Sequence, residues 1–339
     1  MKAIVWHGGR DMRLETVTDP TPGPGQVLVR VEATAVCGSD LHLVEFGAPP
    51  PVIPGHEAAG TVVACAPGAQ GLAPGDRVAL DPVQRCGKCG PCTSGIDHLC
   101  GNVRHLGSGA CAGTWAELVA VDAVNAHRLP AGLRFPEASL AEPSAVCRHS
   151  LGQAGFQPGM SLLVTGDGPF GFLHAQWGRV LGARSLIVAG HHDEKLARIG
   201  AATGAITCNT TREDLAGVVR AAAGAAGLDM AVEATGAGDS PGLAIPLLRP
   251  RGTLVIFSYI WRPNALDMGA IHMKELRLVG SCRSLGVFPD CLQAMARRAP
   301  DTGLLLDALV PLEEFEKALD LMRNARERVF KVGLLPGKA

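Results

Sequence analysis

Two textures of apolar and polar positions divide the chain. Up to about residue 145, short apolar runs such as Val27-Leu28-Val29-Arg30-Val31 and Thr61-Val62-Val63 stand between Gly- and Pro-rich turn clusters, so this stretch is expected to be mostly β. From Ser161 the runs Leu162 to Thr165, Leu186 to Ala189, Met230 to Glu233, Thr253 to Phe257 and Leu276 to Val279 alternate with helix-compatible stretches. Runs without a polar face suit strands buried on both sides, and the alternation predicts a doubly wound parallel sheet, an α/β fold. Asp193 is expected to cap one crossover helix, and Thr211-Arg212-Glu213-Asp214 to open the next. Past residue 285 come a helical stretch, a helix ending near Asn324, and a strand from Val329 to Leu335. The expected division is a first domain over 1–146, a dinucleotide-type domain over 147–285, and a return of 286–339 to the first.

Length agrees with two domains, since 339 residues exceed what one core usually supports. Charge narrows the partners. With 31 basic and 32 acidic residues and no long run of one sign, nucleic acid and anionic membrane surfaces are poor candidates. No apolar segment approaches the ~18 residues a bilayer needs, and the N-terminus lacks an export signal, so a cytoplasmic protein is expected. The 11 cysteines are unevenly spread, with four between Cys86 and Cys100, which points to metal rather than disulfides.

Cys86, Cys89, Cys92 and Cys100 lie in one short Gly/Pro-containing lobe and can converge on one tetrahedral Zn²⁺. Four thiolates fill that ion, so it can tie down a loop but cannot bind substrate. A second set is dispersed: Cys37-Gly-Ser39-Asp40-Leu-His42, Gly55-His56-Glu57 and Glu142-Pro143. Cys37 and His56 with a carboxylate from Glu57 or Glu142 would leave a fourth position open, as a catalytic zinc requires.

A cofactor signature follows. After Leu162-Leu163-Val164 comes Gly166-Asp-Gly168-Pro169-Phe170-Gly171 and then a helical pattern, the context in which such glycines admit a pyrophosphate at a helix N-terminus. At the end of the next run, an NAD-specific enzyme carries Asp or Glu for the ribose 2′-hydroxyl. Here stand Gly190-His191-His192, with Lys195 nearby, so a 2′-phosphate has room and donors, and NADP(H) is favoured over NAD(H).

Cys-Gly-Ser-Asp-x-His, Gly-His-Glu-x-x-Gly, Pro74-Gly75-Asp76-Arg77-Val78 and the cysteine lobe, in this order, resemble the zinc-containing medium-chain alcohol dehydrogenases over nearly the whole chain. Glu142-Pro143 stands where classical members place a Cys ligand, which is most similar to the sorbitol and threonine dehydrogenase branch. The resemblance implies a Rossmann domain plus a mostly-β GroES-like catalytic domain, and two Zn²⁺ per chain. It also implies hydride transfer, at a cleft between domains, between NAD(P) and a polyol-, cyclitol- or amino-alcohol-like secondary alcohol or its ketone. By the same resemblance Cys37 and His56 are ligands, while Glu57 and Glu142 compete for the third place or hold the metal-bound water. Ser39 and His42 relay a proton, Ala234, Thr235 and Gly236 lie beside the nicotinamide ribose, and Arg283 and Lys331 sit near cofactor phosphate or substrate. Relatives are commonly homodimers or tetramers. The segment Leu43 to Pro54 is shorter than in relatives and carries Pro49-Pro50-Pro51, which reshapes the substrate mouth. The rivals are a zinc-free reductase of the same superfamily and a non-catalytic nucleotide sensor.

Overall fold

The structure, a computed structural model, describes every residue except Val44, Phe46, Trp261, Arg262, Lys338 and Ala339. The chain forms two units, Met1–Ala145 with Arg283–Ala339, and Val146–Cys282.

The first unit is built on a seven-stranded sheet. Leu306–Pro311, Lys331–Leu335, Gln26–Ala35, Glu57–Cys65, Arg77–Leu80 and Ala126–Arg128 follow one another across it, and Leu118–Asp122 also pairs with Gln26–Ala35. Alternation along the chain becomes alternation of faces. Val27, Val29 and Val31 turn inward with Val62, Val78, Leu80, Val119 and Val121. A second cluster gathers Ile4, Val36 and Trp115 with Leu312, Phe315, Val332 and Leu334, so residues from both ends of the sequence share one core. The register Gly333↔Ala35 and Leu334↔Thr34 joins them at the backbone. The proline-rich segment after Leu43 is held down by Val52, whose backbone exchanges hydrogen bonds with Trp6.

In the second unit, strands β1 (Ser161–Thr165), β2 (Ser185–Gly190), β3 (Ile206–Asn209), β4 (Leu228–Glu233), β5 (Leu248–Ile256) and β6 (Arg277–Gly280) pair in parallel in the order β3-β2-β1-β4-β5-β6. All five residues of β1 are buried, as a central strand covered on both faces must be. Helices α1 (Pro169–Val180), α2 (Asp193–Thr203) and α3 (Leu215–Ala223) link the first four strands. Strand order reverses between β1 and β4, and their carboxyl ends are where such sheets bind ligands.

Local departures from expectation have simple causes. Strand β3 is half polar and starts with exposed Ile206, which hides it from an apolar-run criterion. Strand β5 begins at Leu248, before the expected Thr253. Asp193 is the first helical residue of α2 and His192 the cap; its carboxylate instead holds Arg212 at 2.5 Å and Asn209 at 2.7 Å. Asp214 does cap α3, accepting from the Ala216 N–H. Among the described residues no helix is long and apolar enough to cross a membrane.

Candidate functional site

The strand Gln26–Ala35 delivers Cys37 two residues past its end, and Glu57–Cys65 begins at Glu57 just after His56. Because these strands pair with Ala35 opposite Glu57, the three side chains arrive at one place in the first unit. Cys37 Sγ, a ring nitrogen of His56 and a Glu57 carboxylate oxygen all lie within 4.8 Å of one another, and all three residues are buried.

Asp40 organises this trio. It accepts the Cys37 N–H at 2.9 Å through Oδ2 and the Gly55 N–H at 3.2 Å through Oδ1, which also faces His56 Nδ1 at 3.2 Å. With Nδ1 committed, Nε2 is the ring atom left for a metal. Burial alone would lower the His56 pKa, but Asp40 and the Cys37 thiol beside it hold it well above the usual imidazole value. Asp40 stays below the usual carboxylate range, because the pull of His56 and the Cys37 N–H outweighs its burial.

Lys331, expected beside cofactor phosphate or substrate, is placed by the structure against Glu57 of this cluster. It is 1% exposed, and its Nζ donates to Glu57 Oε1 at 2.5 Å and to the Val36 carbonyl at 3.3 Å, so its charge is spent inside the first unit. Burial would lower its pKa, yet Glu57 and Cys37 raise it. Glu57 Oε2, by contrast, is buried without a partner. An orphaned carboxylate oxygen beside a thiol and an imidazole is the donor chemistry a zinc ion satisfies, so these residues fit the ion. Glu142 opens the helix Ala141–Gln153 and does not join the trio within the same distance. Burial and the nearby Glu57 push its carboxyl up to about 7.

Ser39 and His42 share the 3-10 turn Gly38–His42 that follows Cys37. His42 is exposed and its Nδ1 lies 3.3 Å from Glu45 Oε1. Arg283, the other cation expected near cofactor or substrate, donates to the His98 carbonyl at 2.7 Å and thereby braces the cysteine lobe.

In that lobe the four thiols also lie within 4.8 Å of one another, unpaired by disulfides. Sulfur separations of 3.5 Å for Cys89 to Cys92, 3.7 Å for Cys89 to Cys100 and 4.0 Å for Cys86 to Cys92 bracket the roughly 3.8 Å edge of a tetrahedron with Zn–S near 2.3 Å. Backbone N–H groups of Lys88 and Cys89 bring the Cys86 thiol down to about 6, as metal binding favours, whereas burial and neighbouring thiols lift Cys92 to about 12.

The second unit places the glycine loop on the carboxyl end of β1. Gly166 has φ +122°, and a Cβ on Gly171 would lie 1.9 Å from the Gly166 carbonyl oxygen, so the turn into α1 admits no side chain there. That cradle, capped at Gly168 with Pro169 and Phe170 in the first turn, fits a pyrophosphate. The loop after β4 comes alongside, since a Cβ on Gly166 would meet the Ala234 carbonyl oxygen at 2.7 Å. Buried Glu233 shapes it, accepting the N–H groups of Thr235 at 2.7 Å and Gly236 at 2.9 Å. His191 is exposed, while Lys195 is buried in the first turn of α2.

Two carboxylates that shape these sites were not foreseen as site residues. Asp40 stood inside a motif, but its role depends on Gly55 and His56, which only folding brings near. Asp167, between the first two loop glycines, reaches the end of β2 and accepts the N–H groups of His191 and His192, both at 2.7 Å. The strand end read as lacking a carboxylate therefore has one, supplied from the neighbouring loop.

Residues 23–131 match the alcohol dehydrogenase GroES-like domain family, and residues 169–297 match the zinc-binding dehydrogenase family. A sorbitol dehydrogenase of Halalkalibacterium halodurans is 33% identical, the match spanning 99% of each chain. An L-threonine 3-dehydrogenase of Pyrococcus horikoshii is 31% identical over 94% of each. Among solved structures, a zinc-binding dehydrogenase of Sinorhizobium meliloti, bound to NADP, superposes with a TM-score of 0.90 at 30% identity, covering 99% of both chains.

Proposed function

As the chain belongs to the zinc-binding medium-chain alcohol dehydrogenases, NAD(P)-dependent oxidoreductases, we propose that it interconverts a secondary alcohol and its ketone on a polyol-, cyclitol- or amino-alcohol-like small molecule. The reading is carried by the buried trio Cys37, His56 and Glu57, three donors with an orphaned Glu57 oxygen and, among the described residues, no fourth donor within the same cluster. Cys37 Sγ, His56 Nε2 and Glu57 would hold one Zn²⁺, and Cys86, Cys89, Cys92 and Cys100 a second. Zinc at the first site supplies Lewis acidity, lowering the pKa of a substrate hydroxyl toward neutrality.

The chain's own residues do the rest. Asp40 fixes the His56 ring, and Lys331 fixes one oxygen of Glu57 so that the other stays directed at the donor cluster. Glu142, outside that cluster, is the weaker candidate for third ligand. Ser39 Oγ takes the hydroxyl proton and passes it to His42, whose exposed ring hands it to solvent. The nicotinamide cofactor binds the second unit through the Gly166–Gly171 cradle and the Ala234–Gly236 loop. The active protein assembles as a dimer or tetramer.

Zinc content and turnover test this reading. Protein purified without chelators should carry two zinc equivalents per chain, and Cys92→Ser and His56→Ala should each remove one. A panel of polyols, cyclitols, amino-alcohols and their ketones should give turnover with a nicotinamide cofactor. A single zinc equivalent in the native chain, or activity confined to simple primary alcohols, would refute it.

A further inference from the structure

The acid that reads the adenosine ribose in an NAD-dependent dinucleotide fold usually projects from the end of the second strand. In this chain that strand ends in Gly190, which has no side chain. The space is nevertheless filled, because a Cβ built on Gly190 would lie 2.4 Å from Asp167 Oδ2.

We propose that Asp167 replaces the strand-end acid from the glycine loop and selects NAD(H) over NADP(H). The inference rests on the nucleotide-binding reading of the second unit and adds the choice of nucleotide. Three observations carry it. Asp167 Oδ2 accepts the backbone N–H groups of His191 and His192 at 2.7 Å each, consuming donors that could otherwise receive a 2′-phosphate. His192 Nδ1 lies 3.1 Å from both carboxylate oxygens, so this imidazole is turned onto the acid. Asp167 Oδ1 has that shared contact and keeps lone-pair capacity for a hydroxyl donor such as the ribose 2′-OH. A 2′-phosphate in the same place would set its negative charge against a carboxylate whose side chain is only 10% exposed, where screening is weak. These hydrogen bonds also keep Asp167 ionised, below the usual carboxylate range despite its burial.

Equilibrium titration of the purified full-length chain with NADH and with NADPH, followed by nicotinamide fluorescence, tests the proposal without turnover. The native chain should bind NADH at least roughly tenfold more tightly than NADPH. Asp167→Asn should move the ratio toward NADPH. The double variant Asp167→Gly/Gly190→Asp, which clears the Cβ that a side chain at 190 would meet and returns the carboxylate from the strand end, should restore NADH preference, and it carries the test if the single variant fails to fold. Equal or tighter binding of NADPH by the native chain overturns the proposal, as does a ratio unmoved in Asp167→Asn, or NADPH preference in a folded double variant. Failure to bind either nucleotide is a different result, and it would also overturn the nucleotide-binding reading.

Discussion

Among the described residues, Lys331→Met isolates the one ion pair in the first unit whose partners are both wholly buried. Lys331 and Glu57 side chains are 1% and 0% exposed, so deleting the ammonium leaves a carboxylate without water and without the cation that donates to it. Removing one member of a buried pair costs ~3–5 kcal/mol, because the survivor keeps its desolvation penalty and loses the attraction that offset it. For a unit of this size each kcal/mol moves the transition by roughly 2–4 °C, which gives a fall of roughly 6–20 °C. Scanning calorimetry of metal-free protein reads the pair itself, without the stabilisation that a bound ion would add. Replacing both partners, Lys331→Met with Glu57→Leu, should recover most of the loss, since well-packed apolar groups suffer no desolvation. A Lys331→Met transition within about 2 °C of the native one, or a double variant no better than the single, would refute the reasoning.

Asp40→Asn keeps the shape but removes the charge that orients His56, and should weaken zinc affinity by roughly 10–100-fold in chelator competition; an affinity within about twofold of native counts against that role. Gly171→Ala places a methyl 1.9 Å from the Gly166 carbonyl, so NADH binding should fall at least about tenfold while far-ultraviolet circular dichroism stays native. Buried His174 donates through Nδ1 to the Phe170 carbonyl and meets Ser150 Oγ through Nε2, and burial pushes its pKa down to about 4. Its unfolded form takes up a proton below about 6.5 that the folded form refuses until about 4, so stability falls as pH drops through that window, by about 2 kcal/mol from pH 7 to 5. His174→Gln should flatten urea-unfolding stability across that range, and an unchanged slope would exclude His174 as the cause.

Residues that act through their neighbours in sequence were the legible ones. Strand β1 and its glycine turn follow from local patterning, because a fully apolar run that ends in glycines has few other uses. The parallel sheet follows from the same logic repeated. Strand β3 escaped because Thr207, Cys208 and Asn209 give no apolar run, although pairing with β2 defines it. The partner of Lys331 was not legible for a different reason: a cation's position in sequence says nothing about which carboxylate folding will bring beside it. Asp167 is the sharpest instance. A search along the second strand finds Gly190 and infers a vacancy, whereas the carboxylate comes from the loop after the first strand, which lies alongside only because β1 and β2 pair in parallel.

Cys37, His56 and Glu57 are synthesised early, but the cation that neutralises Glu57 lies 274 residues downstream of it. During translation the first pocket residues leave the ribosome before the whole second unit and the strand carrying Lys331. Until that strand docks beside Ala35, a nascent chain presents a thiol, an imidazole and an unbalanced carboxylate with no closed cavity around them. The proposed metal pocket is therefore complete only after the strand carrying Lys331 has docked beside Ala35, and a chain stalled short of that strand lacks the cation that neutralises Glu57.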